Sequence, residues 1–206
     1  MGKRKSWATE TINTVAKHIA SSLRPLRYKR SGRTFVRDTT DGAVVVHVQA
    51  ARDNDESLSR FTVNLGVRQE RLQDLMDWTM RGKKPGISDC ILKQRIGHLM
   101  DVRRDFWWLV EPQMSVESVA QEAAEAVEQD GVPFLHGLES WENSREYILK
   151  TEGPFVAFFA HVLDGNYDLA KEAFLQVLGP NAGILVERAR QCARKVGLVL
   201  PEHPNG

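Results

Sequence analysis

The sequence predicts an α+β fold: an N-terminal helix, an antiparallel meander of about five strands with an inserted helix, and an all-helical C-terminal half. Apolar residues recur at helical spacing over 7–23, and alternate with polar residues through much of 28–65. From residue 115 onwards the spacing is helical again. Runs of strands followed by runs of helices are typical of α+β proteins rather than doubly wound sheets.

Each strand is bounded by a turn signal or a change of period. Ser31-Gly32 is expected to bend the first strand, Asp41-Gly42 to form a hairpin turn, and Gly66 to close the third strand. The second strand is rich in β-branched valines, which favour strands. The predicted strands span residues 28–37, 43–50, 61–65, 91–99 and 105–110.

The helices are predicted from apolar stripes and from capping residues. Arg24-Pro25 ends the first helix, because the residue before a proline avoids the helical region. Ser115 is expected to cap a helix that Gly131 ends, and Asp164-Gly165-Asn166 to join two helices as a tight hairpin. The predicted helices span residues 7–23, 68–80, 115–131, 139–149, 154–163, 167–178 and 182–196.

No proline- or serine-rich linker divides the chain, so we expect a single domain over 1–206. Within it we distinguish an α+β region at 8–140, a helical extension at 141–197 and a disordered tail at 198–206. Hydrophobic residues make up 42% of the chain and charged residues 27%, which are ordinary globular values. With neither a signal peptide nor an apolar run of membrane-spanning length, the sequence predicts a cytoplasmic protein without membrane contact.

The net charge of +1 conceals an uneven distribution of charge. Residues 1–40 carry ten Lys or Arg residues and two acidic residues, giving +8, whereas the remainder carries −7. A basic end steers a protein towards phosphates or towards an acidic protein partner, or it is simply a solvated surface. If it binds nucleic acid, the candidate contact residues are Arg27, Lys29, Arg30 and Arg33.

The strand pattern also predicts a polar face of the sheet. Val44, Val46 and Val48 share one face of the second strand, and Phe61, Val63 and Leu65 share one face of the third. If the first strand follows the same phase, the opposite face carries donors for a phosphate or carboxylate, and a histidine. This candidate binding face comprises Arg33, Arg37, His47, Gln49, Thr62 and Asn64. An ordinary solvated face is the alternative interpretation.

Trp107 and Trp108 are candidate partner anchors, because alternation along a strand places one indole inside the sheet and the other outside. An exposed tryptophan can stack a base or anchor a protein partner, although burial of both indoles by flanking helices is the more frequent arrangement. The signatures of nucleotide-binding loops, serine hydrolases and zinc proteases are absent, and the two cysteines and six histidines show no ligand spacing. We therefore expect no catalytic residues, no metal and no cofactor.

The order of several short motifs resembles the bacterial family known as domain of unknown function 4304 (DUF4304). The likeness covers roughly residues 8–140, and after the glutamine of the second strand this chain has Ala50-Ala51 where the family pattern has a basic residue and serine. The resemblance implies a bacterial cytoplasmic protein of the same fold, and it implies no activity. The motifs are Gly32-Arg-Thr-Phe35-Val-Arg37, Val48-Gln49, Phe61-Thr-Val-Asn-Leu-Gly66, Arg95-Ile-Gly97, Trp107-Trp108 and Pro133-Phe-Leu135.

Three functions follow from these features. The first is a non-enzymatic protein-binding module, immunity-like or an accessory of a defence or toxin system. The second is nucleic-acid binding through basic residues 1–40. The third is an unrecognised hydrolase or transferase that uses the polar sheet face, which requires a concave pocket and a perturbed titratable group there.

Overall fold

The first described element is the amphipathic helix α1, Trp7–Leu23. It is seen in a computed structural model that describes residues 6–78, 84–178 and 183–201. Ser6 caps this helix by accepting a hydrogen bond from the backbone N–H of Thr9. The apolar stripe expected from the sequence is buried: Ala8, Ile12, Val15, Ala16, Ile19 and Leu23.

The described residues form a six-stranded antiparallel sheet. Strands β1 to β5 are neighbours in chain order, and β6 pairs with β4 beside β5. The α+β fold and its meander are therefore confirmed. The strands are β1 Lys29–Ser31, β2 Thr34–Thr39, β3 Gly42–Ala50, β4 Ser59–Gln69, β5 Leu92–Arg95 and β6 Trp108–Val110.

The single first strand predicted over 28–37 is wrong, because the chain reverses there instead of bending. Gly32 adopts a φ of +62°, which glycine tolerates without steric cost, and the reversal makes β1 and β2 a hairpin. Phe35 and Arg37 then point to one face of β2, and Thr34 and Val36 to the other. Phe35 lies opposite Val46 of β3 and takes the core position on this strand.

One face of the sheet is buried beneath helices. Helix α1 packs against β3 and against α3, Val116–Ala126, which also contacts β6. The valines of β3 and the apolar residues of β4 that the sequence assigned to this face are fully buried. Ser115 caps α3, as expected, by accepting a hydrogen bond from the backbone N–H of Ser118.

The expected helix end at Gly131 is also wrong. The chain passes from α3 through a π-helical segment, Val127–Gly131, directly into α4, Val132–Gly137. Gly131 has a helical φ of −71°, and a Cβ placed there would lie 3.3 Å from Leu65 Cδ2. This glycine therefore allows the helix to pack closely on the sheet.

The chain divides into two compact units, residues 1–68 with 80–139, and residues 69–79 with 140–206. The sheet and helices α1, α3 and α4 belong to the first unit. In the second unit, α6 contacts α2, α5, α7 and α8, and Gly165 forms the expected turn between α6 and α7 with a φ of +74°. Its helices are α2 Glu70–Leu75, α5 Trp141–Thr151, α6 Pro154–Leu163, α7 Tyr167–Val177 and α8 Gly183–Val196.

Parts of the sequence-based description fall outside the described residues. These are the basic residues at 3–5, the end of the helix expected over 68–80, the start of the helix expected at 182, and residues 202–206 of the expected disordered tail. At the start of that tail, the backbone N–H of Leu198 donates to the carbonyl of Ala193 at 2.8 Å. The single domain over 1–206 stays a prediction.

Candidate functional site

The face of the sheet opposite α1 carries two side-chain hydrogen bonds between neighbouring strands. Thr34 lies opposite His47, and its Oγ1 is 2.9 Å from His47 Nδ1. Asn64 Nδ2 donates to Gln49 Oε1 at 2.8 Å, and Asn64 lies opposite Arg95 of β5. All five side chains are partly exposed. We call this set of residues, Thr34, His47, Gln49, Asn64 and Arg95, the polar sheet face.

Three of the six residues expected on this face are brought together, namely His47, Gln49 and Asn64. Thr62 is in phase with Asn64, yet it is fully buried and its Oγ1 has no hydrogen-bond partner within the described structure. Arg33 lies in the turn before β2. Burial, with the charge of Arg33 as a smaller cause, lowers the pKa of His47 below its usual value.

The placement of Arg37 on the polar sheet face is wrong. Arg37 lies opposite Val44 and projects from the same face of β2 as Phe35. Its guanidinium forms an ion pair with Glu139 and lies 5.2 Å from the ring centroid of Tyr28. The prediction requires Val36 on the core side of this strand, whereas Phe35 lies there, so the expected alternation is one residue out of phase. Val36 is buried as well, but on the opposite face.

A second layer covers part of the face that carries these polar residues. Val36, Ala43 and Val45 form a buried cluster with Cys90, which follows the 3-10 helix Ile87–Asp89. Cys90 Sγ lies 2.6 Å from the position that a Cβ on Gly66 would occupy. The uncovered remainder is where His47, Gln49 and Asn64 lie.

Beside the polar sheet face lies a group of residues that we call the Trp107 cluster: Arg95, Asp105 and Trp107. The Arg95 guanidinium lies 5.3 Å from the Trp107 ring centroid and forms an ion pair with Asp105. The indole N–H of Trp107 donates to the same carboxylate at 3.3 Å. Arg95 and, to a lesser extent, Trp107 hold the pKa of Asp105 below its usual value. The partly exposed indole is thus held at two points.

Trp108 has a different environment. It is 3% exposed, stacks on Phe61 with ring centroids 5.2 Å apart, and donates its indole N–H to Glu122 of α3 at 2.9 Å. Its role as a partner anchor is therefore wrong for this structure, because the indole is part of the core. Leu109, the next residue along, lies opposite Arg60 and is 52% exposed.

An open cleft of 390 Å³ lies at the end of β3, where Gln49 and Trp107 form part of its wall. The loop from 51 to 58 is fixed to β4, because Asn54 exchanges two hydrogen bonds with the backbone of Arg60. Arg60 also forms an ion pair with Asp53. We call this the Arg52 cleft, and its lining residues are Gln49, Ala50, Ala51, Arg52, Asp53, Arg60 and Trp107.

The four basic residues of the nucleic-acid hypothesis do not share one face. Lys29 lies opposite Val36, and Arg30 opposite Phe35, so their side chains leave β1 on opposite sides. Lys29 forms an ion pair with Asp38 at 3.1 Å. Arg30 donates to the carbonyl of Gly32 at 2.8 Å, and Arg27 lies before β1 with a φ of +65°.

Sequence reasoning missed Arg52, Arg60, Arg95 and Asp105. Arg60 was detectable, because it is in phase with Thr62 and Asn64 on β4. Arg95 stood in a motif of the family resemblance. Nothing in the local pattern brings Asp105 to Arg95, because the loop between β5 and β6 creates that contact.

Neither thiol is suited to nucleophilic chemistry. Burial raises the pKa of Cys90 to about 12 and that of Cys192 to about 11, so both remain protonated near neutral pH. Among the described residues, no group of three or more His, Cys, Asp or Glu side chains is placed to hold a metal ion. No helix within the described ranges is both long enough and apolar enough to cross a membrane.

Residues 19–137 match the family model described as domain of unknown function, DUF4304, which covers more than half of the chain. The chain belongs to the DUF4304 family. Comparison with curated proteins and with solved structures finds no match. The DUF4304 segment contains all six strands, the polar sheet face, the Trp107 cluster and the Arg52 cleft, whereas helices α5 to α8 follow it.

Proposed function

We propose that this DUF4304 protein is a non-enzymatic binding module of the bacterial cytoplasm that contacts another protein through the polar sheet face and the Trp107 cluster. The observation that carries the proposal is the partly exposed indole of Trp107, held by Arg95 and Asp105 beside an open cleft. Tryptophan and arginine are enriched among interface hot spots, and a fixed side chain loses little conformational entropy on binding.

Two further features support a protein partner. Leu109 exposes 52% of its surface next to Arg60, so the region offers apolar contact area beside charge. Together, the polar sheet face and the Trp107 cluster mix amides, a histidine, an arginine and a carboxylate, which is typical of the polar rim of a protein interface. An immunity-like role, or an accessory role in a defence or toxin system, is the setting we propose by analogy with proteins of similar size and fold class.

The hydrolase or transferase alternative has less support. His47 shares its Nδ1 hydrogen bond with the hydroxyl of Thr34 rather than with a carboxylate, so it lacks the partner that would orient a general base. Both buried thiols are held in the protonated form. The polar sheet face therefore resembles a recognition surface more than a catalytic one.

The nucleic-acid alternative is weakened by charge pairing. Lys29 is paired with Asp38 and Arg37 with Glu139, while Lys29 and Arg30 lie on opposite sides of β1. A phosphate backbone binds where unpaired cations follow one path. Binding that falls steeply with salt and disappears in an Arg27, Lys29, Arg30 and Arg33 charge-reversal variant would restore this alternative.

The test is affinity capture of the tagged chain from host lysate, at low and high salt, with and without nuclease. We expect one protein to be retained under all four conditions. Trp107→Ala should weaken its binding about 30-fold, which corresponds to a hot spot of about 2 kcal/mol. Leu109→Ala should also weaken capture, whereas Leu175→Ala, at a similarly exposed leucine of α7, should not.

Capture that is equal for wild type and Trp107→Ala would contradict the proposal. The affinity of the purified partner should be measured by calorimetry, and circular dichroism should confirm that each variant is folded.

A further inference from the structure

We propose that the Arg52 cleft is an anion-binding subsite that receives one side-chain carboxylate of the protein partner. This inference rests on the proposed function and specifies the chemistry of the partner. Its basis is the juxtaposition, in one open cleft, of the Arg52 guanidinium, the Gln49 amide and the wall formed by Trp107.

Gln49 lines the cleft, and both N–H donors of its side-chain amide are left out of the hydrogen bond with Asn64. Its Oε1 accepts the hydrogen bond from Asn64 Nδ2 at 2.8 Å, which fixes the orientation of the amide. The amide nitrogen, with two N–H groups, is then available to a ligand. Donors select a ligand that accepts hydrogen bonds.

The guanidinium groups around the cleft differ in how they are paired. Arg60 is paired with Asp53, and Arg95 with Asp105. Arg52 is exposed, and within the described structure no carboxylate pairs with it. A guanidinium without a counter-charge, beside an amide donor, is suited to bind a carboxylate with two parallel hydrogen bonds.

The charge of the site favours a single carboxylate over a polyanion. The lining of the cleft carries two guanidinium groups and one carboxylate, which leaves a local charge of +1, and the nearby ion pair of Arg95 with Asp105 adds no net charge. A nucleic-acid backbone would bring further negative charge close to Asp53 and Asp105, and like charges repel. The Arg95 guanidinium also lies 5.3 Å from the Trp107 ring centroid, so this indole is already engaged in a contact of the kind a stacked base would require.

The walls of the cleft admit a small group. Ala50 and Ala51 have methyl side chains, which occupy little space at the lining, and the loop beyond them is held by the two hydrogen bonds between Asn54 and Arg60. A volume of 390 Å³ accommodates the end of a Glu or Asp side chain together with water.

The experiment is a titration of ¹⁵N-labelled full-length protein, followed by nuclear magnetic resonance. The indole resonance of Trp107 is assigned with Trp107→Phe, and the side-chain amide of Gln49 with Gln49→Ala. The probe is the capped peptide acetyl-Gly-Glu-Gly-amide, and its matched control contains Gln in place of Glu. We expect saturable shifts of both resonances at millimolar concentrations of the Glu peptide, and none with the Gln peptide.

Arg52→Gln should weaken binding of the Glu peptide about tenfold while leaving the spectrum otherwise native. Arg24→Gln, at an exposed arginine that follows α1, is the matched control and should bind as the wild type does. Inorganic phosphate and a single-stranded thymidine oligonucleotide form two further arms, each expected to bind more weakly than the Glu peptide.

The inference is overturned if the Glu and Gln peptides behave alike, or if Arg52→Gln binds the Glu peptide as tightly as wild type. Tighter binding of phosphate or of the oligonucleotide would also overturn it, in favour of a free anion or a nucleic acid. The two proposals fail separately. If capture of the partner depends on Trp107 but not on Arg52, the binding module stands and the carboxylate subsite does not, whereas capture that does not depend on Trp107 contradicts the proposed function itself.

Discussion

Gly97 allows the chain segment that carries Asp105 and Trp107 to lie close to the end of β5. The backbone N–H of Arg104 donates to the Gly97 carbonyl at 3.1 Å, and the Cβ of Phe106 lies 2.5 Å from the position that a Cβ on Gly97 would occupy. Any side chain at this residue would push the loop away from β5. The contact between Arg95 and Asp105 thus depends on the absence of a side chain at Gly97.

We predict that Gly97→Ala lowers the free energy of unfolding by about 1–3 kcal/mol, the usual cost of an overpacked position. The variant should also shift the Trp107 indole resonance, because the loop must move. Gly137→Ala is the control, because nothing lies within 4 Å of its added Cβ. Chemical denaturation measures both variants, and an equal effect of the two substitutions would contradict the structural role of Gly97.

His47 gives the stability of the protein an acid-sensitive component. Its pKa is lowered in the folded state, mainly by burial, so below pH ~6.5 the unfolded chain takes up the proton more readily. The contribution of His47 to stability is therefore fully present above that pH. It is lost as the pH falls towards the folded-state pKa.

We predict that His47→Gln flattens the loss of stability on acidification below pH ~6.5 relative to wild type. The free energy of unfolding, measured by denaturant titration at a series of pH values, tests the slope rather than the absolute stability. Gln49→Ala, at a residue without a titratable side chain on the same face, should keep the slope of the wild type. Parallel slopes for wild type and His47→Gln would refute the assignment.

At the scale of elements, the continuous run from α3 through the π-helical segment to α4 depends on how it starts. Ser115 satisfies one of the free backbone N–H groups at the first turn of α3. We predict that Ser115→Ala lowers the free energy of unfolding by about 1 kcal/mol. Ser118→Ala, at an exposed serine in the same turn, should change it by less than about 0.5 kcal/mol. Thermal and urea unfolding distinguish the two.

The sequence predicted elements well where a strong period was bounded by a clear stop signal. Helix α6, Pro154–Leu163, has the predicted bounds, and α1 has the predicted stripe. The errors have a common physical origin, since Gly32 and Gly131 were each interpreted from local propensity alone. Gly32 reverses the chain by a positive φ, whereas Gly131 lies within a continuous helical run, where the absence of a Cβ lets Leu65 pack close to it.

The candidate site was predictable to the extent that it depends on alternation. His47, Gln49 and Asn64 follow from the burial of β3 and β4 on one face. Arg37 was placed on the wrong face because both Phe35 and Val36 are buried, on opposite sides of the strand. The pairing of Arg95 with Asp105 is a contact across a loop, and no sequence period encodes it.

At the scale of the whole molecule, the chain enters the second unit twice. Residues 69–79 belong with residues 140–206, although they lie between β4 and β5 in the sequence. Leu72 and Met76 of this segment are 0% and 2% exposed, and α2 packs against α6. The DUF4304 match ends at residue 137, before α6 begins.

We predict that a chain truncated after residue 139 exposes Leu72 and Met76 and binds a hydrophobic dye that the full chain does not bind. Leu72→Ser combined with Met76→Ser should reduce dye binding and aggregation of the truncated chain. Removal of residues 202–206 alone is the control and should leave dye binding unchanged. A truncated chain that is monomeric and dye-free would contradict the prediction.

The single domain expected from the sequence predicts one cooperative unfolding transition for residues 1–206. β4 runs through Arg68 into Gln69 and α2 without a linker, so unfolding of either unit should be transmitted along the chain. Calorimetry should give equal calorimetric and van't Hoff enthalpies. Two resolved transitions would show that the units unfold as separate domains.

The second unit is formed from two separate stretches of the chain, and this arrangement determines the order in which its helices are synthesised. Helix α2 ends at Leu75, and its partner α6 starts at Pro154, roughly 80 residues later. At ~5–20 residues per second, α2 waits for about 4–16 s after its own synthesis before α6 has been made. During that interval, Leu72 and Met76 form a transient apolar segment of a nascent chain whose last two strands, β5 and β6, are still to be made when α2 is complete. We therefore expect a chaperone to bind the nascent chain at Leu72 and Met76, within the DUF4304 segment. We expect it to dissociate only after α6, which follows that segment, has been made.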